Sequence, residues 1–431
     1  MRINGRTLKH RNYQEALGIP LITASFYFIV FFPFIEIWPI DSDTQPYALL
    51  LSMVISSFFF FSTKRIPRIF IFFAAIFFSG IFIALFSTYN LNTVRRIWNY
   101  ASLLFIPLAT FYILQMNNGL NRSFIKFTII VWTLVGLVQT VFAPNFLAFA
   151  ISNSRTKYDR GVFSLATEPT YYAIVCLFLF FIVMLFFQKQ DKKIYGFVLI
   201  LQIVLFAKSS LIVFFLIMLG FLYAIMNINR LYADLNFRKV VSGSKARYLF
   251  VLGSFMLIAV LSFHFFDCSS IHDLRLIKMF RLFFDNPLFL ILKDKSGNER
   301  FGHIFFCFLG FLKNFGLPNG FNEWEHFLTN NIPEFKSVFW YMKPMDIIMS
   351  GYGAALFELG IIGLLIPLIV SLCIYHYFHH KNKRNFWLYL IGINALMVNA
   401  IPLAFPIFNF FIGCLIYYSM TQKDILDFGL S

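Results

Sequence analysis

Apolar residues run in long unbroken blocks along this chain, and polar residues collect in the gaps between them. The first six blocks cover 17–38, 46–62, 69–87, 97–115, 124–143 and 169–187. Runs of about 18 or more apolar residues match the thickness of a hydrocarbon core. Their continuity excludes a membrane β-barrel, whose strands alternate polar and apolar positions. The block 194–226 is too long for one ordinary span and is interrupted by Lys208-Ser209-Ser210, so it reads as two short helices meeting there. A ninth block, 249–266, precedes the longest gap, 267–350; three more blocks follow at 351–375, 386–401 and 403–420. The pattern predicts an all-α polytopic membrane protein with about 12 transmembrane helices and one large external loop containing amphipathic helices. Its parts would be 1–266, with nine helices and an external loop near 144–168, then the large loop 267–350, then 351–431 with the last three helices. No internal repeat and no Gly/Ser- or Pro-rich linker is evident.

Composition agrees: 59% of residues are hydrophobic, 13% are charged, and the mean hydropathy is +0.73. A net charge of +16 raises the question of nucleic acid. The cations answer it, because most lie in alternate gaps: Arg2 to Arg11, Lys64 to Arg68, Arg122 and Lys126, Lys189 to Lys193, Arg230 to Arg247, and Lys381 to Arg384. That is the bias of cytoplasmic gaps, and it places both termini on the cytoplasmic side of the membrane. Met1 to Gln14 carries no small-residue cleavage signature, so the first helix is expected to stay uncleaved. The five cysteines show no metal-binding spacing. Cys268 and Cys307 share the long loop, which leaves open a disulfide as well as simple apolar packing.

Three gaps on the opposite side carry cations against this bias: Arg95-Arg96; Arg155, Lys157 and Arg160; and the long loop. They fit snorkelling anchors, and they also fit a cationic surface for an anionic substrate. Within the loop, Arg275, Lys278 and Arg281 recur at three-residue spacing opposite Leu274, Ile277, Phe280 and Phe284. Such a helix would lie in the membrane interface with its cations near phosphates, with or without a substrate role.

Two stretches could carry chemistry. In Arg160-Gly-Val-Phe-Ser-Leu-Ala-Thr-Glu168-Pro169, the proline suits a first helical turn and Glu168 a helix N-terminus. The pair reads either as a cap plus an interfacial arginine or as an ion pair at the mouth of a cavity. Arg300 precedes Gly316 by fifteen intervening residues, an apolar run expected to form a helix on or dipping into the membrane. An arginine binds phosphate with two parallel hydrogen bonds and keeps its charge in poorly hydrated sites. His326 is the loop's candidate acid–base group; a plain surface histidine fits it as well.

Four places together resemble the O-antigen polymerase family, within the superfamily that includes the O-antigen ligases. They are Arg160-Gly161 with Glu168-Pro169, the turn Ala207-Lys-Ser-Ser210, Arg300 with Gly316, and Tyr352-Gly353 leading to Glu358-Leu-Gly360-Ile-Ile-Gly363. Thr156 to Gly363 is covered, roughly half the chain. The turn lacks the arginine expected of the family, and Ser350 stands where the ligases resemble one another by a histidine. The second departure favours polymerase over ligase.

The resemblance implies glycosyl transfer outside the inner membrane: a growing glycan on undecaprenyl pyrophosphate passes to an incoming lipid-linked repeat unit. Donor and acceptor glycans, membrane lipids and a chain-length regulator would be its partners. Arg155, Arg160, Arg275, Lys278, Arg281 and Arg300, with Gly316 and Tyr352, would bind substrate; Glu168 or His326 would serve as base. Guanidinium groups can neutralise a pyrophosphate leaving group without metal, and no cofactor is expected. Asp41-Ser-Asp43, the only metal-like spacing noted, sits in a small gap. The alternatives are an O-antigen ligase and a transporter or flippase of lipid-linked oligosaccharide. The aromatic content of 20%, with 62 Phe, fits walls for a polyprenyl chain and equally fits lipid-facing packing.

Overall fold

The computed structural model describes residues 18–36, 45–63, 66–87, 90–151, 154, 161–226, 282, 286, 288–379, 383–399 and 401–428. Within them the chain is helical and has no strand; Ile35 and Ile151 form an isolated antiparallel bridge. The first eight helices are α1 Gly18–Phe31, α2 Tyr47–Thr63, α3 Ile69–Ala84, α4 Leu91–Met116, α5 Arg122–Val141, α6 Pro169–Phe186, α7 Lys189–Leu201 and α8 Ser210–Met226. The others are α9 Phe289–Leu292, α10 Lys295–Lys313, α11 Trp324–Asn331, α12 Gly351–Leu359, α13 Leu365–His379, α14 Lys383–Asn399 and α15 Pro406–Phe428. Four stretches are long and apolar enough to cross a membrane: Asn92–Met116, Arg122–Val141, Pro169–Phe186 and Gly351–His379. Several shorter apolar helices accompany them.

The expected blocks mostly reappear, with local corrections. The first helix stops at Phe31 rather than 38, because Pro33 cannot donate the next helical hydrogen bond. α4 starts six residues before its expected edge at 97. Asn90 caps it by accepting from the Thr93 N–H at 2.9 Å, which draws Arg95 and Arg96 into the first turns. The block 194–226 does break at Lys208, which adopts φ 46° after a π turn, Gln202–Ala207. The span opening at Gly351 is interrupted at Gly360, φ 61°, and resumes as α13. The ninth block and the basic run with Arg275, Lys278 and Arg281 lie outside the described residues. Cys307 is a buried free thiol, so it packs the interior rather than forming a disulfide.

α6 is apolar all round and accordingly buried on nearly every side, at the centre of the bundle. α15 lies along α4 at close range: a Cβ on Gly413 would come within 2.7 Å of the Pro107 carbonyl oxygen. A second, smaller core joins α10, α11 and 332–348 to one face of α12 through Phe306, Trp324, Leu328, Phe339, Met342, Ala354 and Phe357.

Contacts between helix ends fall into two sets. In one, the Asn121 N–H donates to the Tyr27 hydroxyl, the Leu120 N–H to the Tyr418 hydroxyl, and Lys126 pairs with Asp191 at 2.9 Å. In the other, the Glu36 N–H donates to the Ala150 carbonyl, the Val162 N–H to the Phe206 carbonyl, and Tyr171 stacks on Phe405. Gly351 packs against the Ile401 carbonyl, and Asn322 donates to Thr93 at 2.6 Å.

Candidate functional site

Two close backbone contacts join stretches singled out from sequence. Gly161 lies so close to 206–207 that a Cβ there would overlap the Ala207 carbonyl. Gly316 and Gly360 meet in the same way: the Gly316 carbonyl accepts from the Ile361 N–H at 2.9 Å and leaves no room for a Cβ on Gly360. The four motif stretches are thus two contacting pairs. Loop 401–405 lies between them, touching Tyr171 on α6 and Gly351 on α12.

Arg300 stands in the second turn of α10, half-buried, with its Nε 3.4 Å from the Ser296 hydroxyl. α10 begins at Asp294, whose side chain caps Gly297 at 2.7 Å. Its buried stripe runs through Asn298, Gly302, His303, Phe306, Cys307 and Gly310, at the three- and four-residue steps of one helix face. Arg300 is off that stripe. Asn298 fastens the strap 338–341 to the helix, donating to the Val338 carbonyl at 2.7 Å and accepting from the Tyr341 N–H at 2.9 Å. Lys343 consequently lies near Glu299, whose carboxyl is raised by burial against the opposing pull of Arg300 and Lys343. Lys295 approaches the Tyr341 ring at 5.6 Å. Lys295, Arg300 and Lys343 share this end of α10 with Asp294 and Glu299, beside the Tyr341 ring; the guanidinium among them is the group suited to phosphate.

Gly316 does not share that surface. It closes the far end of α10, after Phe315 at φ 53°, with φ 77° of its own. Thirteen helical steps lead from Arg300 to Lys313, the last residue of α10, about 20 Å at 1.5 Å per residue. The work of Gly316 is the left-handed turn and the contact with Gly360. Tyr352 is buried, its hydroxyl bonded to Asn394 Oδ1 at 2.9 Å, so it packs the bundle rather than an open surface. Ser350 caps α12 by accepting from the Gly353 N–H at 2.9 Å. Glu168 occupies the N-cap position of α6, yet its carboxylate makes no capping bond, and the side chain is half-buried. His326 is exposed on α11 beside Asn330, whose amide is 3.3 Å from Nε2. Arg155, Arg160, and the pair Asp41 and Asp43 lie outside the described residues. Among the described residues, no three His, Cys, Asp or Glu side chains gather as a metal site.

Two features escaped the sequence reading. One is His303, fully buried on α10 and stacked on Trp324 at 5.6 Å, with both ring nitrogens and the Trp324 Nε1 lacking hydrogen-bond partners. Burial, aided by Arg300 one turn away, pushes its pKa down to about 4. The other is a buried ion pair: Arg96 Nη1 meets Glu358 Oε1 at 2.6 Å, and the Tyr100 hydroxyl donates to Glu358 Oε2 at 2.6 Å. Its signal was present as a cation placed against the topological bias and a lone acid inside an apolar block. Compared with models of known families and with curated proteins, the chain matches none.

Proposed function

We propose that the protein is a membrane glycosyltransferase of the O-antigen polymerase type. It would extend undecaprenyl-pyrophosphate-linked glycans by joining repeat units at the outer face of the inner membrane. The observation that supports this reading is that the described parts of the four resembling stretches meet in two contacting pairs, Gly161 with 206–207 and Gly316 with 360–361.

In the proposed reaction the bond between the donor's anomeric carbon and its pyrophosphate oxygen breaks. A hydroxyl of the acceptor glycan forms the new glycosidic bond and gives its proton to a base. Arg300 offsets the negative charge that develops on the leaving pyrophosphate. Arg160, from the stretch that leads into the Gly161 contact, is assigned the same task. Glu168 is the first choice as base: its carboxylate takes no part in capping α6, so it is available for a proton. His326, exposed on α11, is the second.

The test is reconstitution in lipid vesicles with a defined lipid-linked repeat unit. A ladder of longer glycans supports the reading. Lipid crossing the bilayer without chain growth refutes it in favour of a transporter, and transfer of single units to a non-prenyl acceptor refutes it in favour of a ligase.

A further inference from the structure

Glu358 sits inside an apolar helix with its side chain 3% exposed, and both its oxygens are occupied. Oε1 receives Arg96 and Oε2 receives the Tyr100 hydroxyl, both from the first three turns of α4. The remaining arm of Arg96, Nη2, donates to the Asp346 carbonyl on the segment leading into α12. Three more polar contacts flank this centre: Asn92 Nδ2 to Asp346 Oδ2 at 3.3 Å, Asn322 Nδ2 to the Thr93 hydroxyl at 2.6 Å, and the Phe321 N–H to the Ser87 hydroxyl at 3.3 Å. All of them join 87–100 to the 316–358 region.

α12 is the element both cores share. Ala354 and Phe357 face the small core of α10 and α11; Tyr352, Ala355 and Leu359 face the main bundle. Apolar packing holds α12 against α10, α14 and α3 rather than against α4, and replacing a buried ion pair by apolar residues often leaves stability unchanged. What packing cannot do is fix direction. A planar guanidinium with two engaged arms sets the angle between α4, Glu358 and the Asp346 backbone at once, which an ammonium group cannot.

We propose that Arg96, Tyr100 and Glu358 are positioning residues: a latch that holds the 288–350 segment, and with it Arg300, in a fixed pose over the end of the bundle. The role assigned to Arg300 rests on the proposed function; the latch itself does not.

The experiment compares hydrogen exchange, read by mass spectrometry, in the full chain embedded in lipid nanodiscs. Variants are Tyr100→Phe, Arg96→Lys, Glu358→Gln, and the apolar pair Arg96→Met with Glu358→Met. Each single substitution is expected to speed exchange over 316–323 and 338–348 by about tenfold or more, while α6 keeps its protection. The Met pair is expected to restore protection of α12 but not of 338–348, since the arm to Asp346 is gone. Polymer formation should fall in step with the loss at 338–348 in every variant. Unchanged exchange in Tyr100→Phe and Arg96→Lys overturns the latch, as does a Met pair that recovers both protection and polymer. Should Glu358→Gln unfold throughout, the two milder variants decide. If the unaltered protein makes no polymer, the proposed function fails while the exchange comparison still judges the latch.

Discussion

Acid should loosen α10, and the reason is one imidazole. In the folded chain His303 is buried against Trp324 with neither nitrogen bonded, and its pKa falls from the ordinary 6.5 to about 4 through burial first and the Arg300 charge second. The folded state therefore holds the neutral ring, while the unfolded segment takes up a proton below pH 6.5. Stability contributed by the neutral ring is intact above that value and drains away as pH falls toward 4. The gap between 6.5 and about 4, at about 1.4 kcal/mol per decade, amounts to about 3 kcal/mol once both limits are passed. At pH 5 about 2 kcal/mol of it is already gone, which is about a thirtyfold rise in the open population of α10. Glu299, one helical turn before His303, has its carboxyl raised by burial, so its protonation works in the opposite direction and partly masks the effect. His303→Phe isolates it by keeping a ring on Trp324 and removing the titration. Hydrogen exchange over α10 and α11, corrected for the intrinsic effect of pH, should show protection lost between pH 7 and 5 in the unaltered chain and retained in the variant. The variant should also gain about 1–3 kcal/mol at pH 7, since two unsatisfied buried nitrogens are removed. Parallel loss of protection in both proteins would refute the reasoning.

Other expectations follow from the same geometry. Arg300→Ala should abolish the glycan ladder while leaving membrane levels of the protein unchanged, and Arg300→Lys should recover less than a tenth of the rate, since two-point phosphate binding is lost; immunoblot and ladder gels read both. Glu168→Gln should lower turnover by about 100-fold or more with little change in thermal stability, whereas His326→Gln should leave turnover within about twofold if Glu168 is the base. Gly360→Ala should destabilise the chain by several kcal/mol, because a Cβ would meet the Gly316 carbonyl at a φ of 61°; a thermal melt in detergent showing no decrease would contradict the contact. Gly161→Ala should do the same at the Ala207 carbonyl.

The sequence by itself determined the class of molecule. Unbroken apolar blocks leave a chain little choice but helices in a membrane, since backbone groups in hydrocarbon must bond within their own segment. The break at Lys208 and the helix start at Pro169 were equally legible, because local chemistry dictates them. The start of α4 was misplaced, because its edge was set by charge while the Asn90 cap overruled it. Only the tertiary structure decided which residues meet. Arg300 and Gly316 looked like one constellation on paper, and the straightness of α10 holds them apart. Tyr352 was expected to bind substrate, and the bundle turned its hydroxyl to Asn394. Arg96 and Glu358 are separated by most of the chain, and no local pattern joins them. They pair because long side chains bridge two helices that make little backbone contact, and a buried charge is tolerated only where its opposite is waiting.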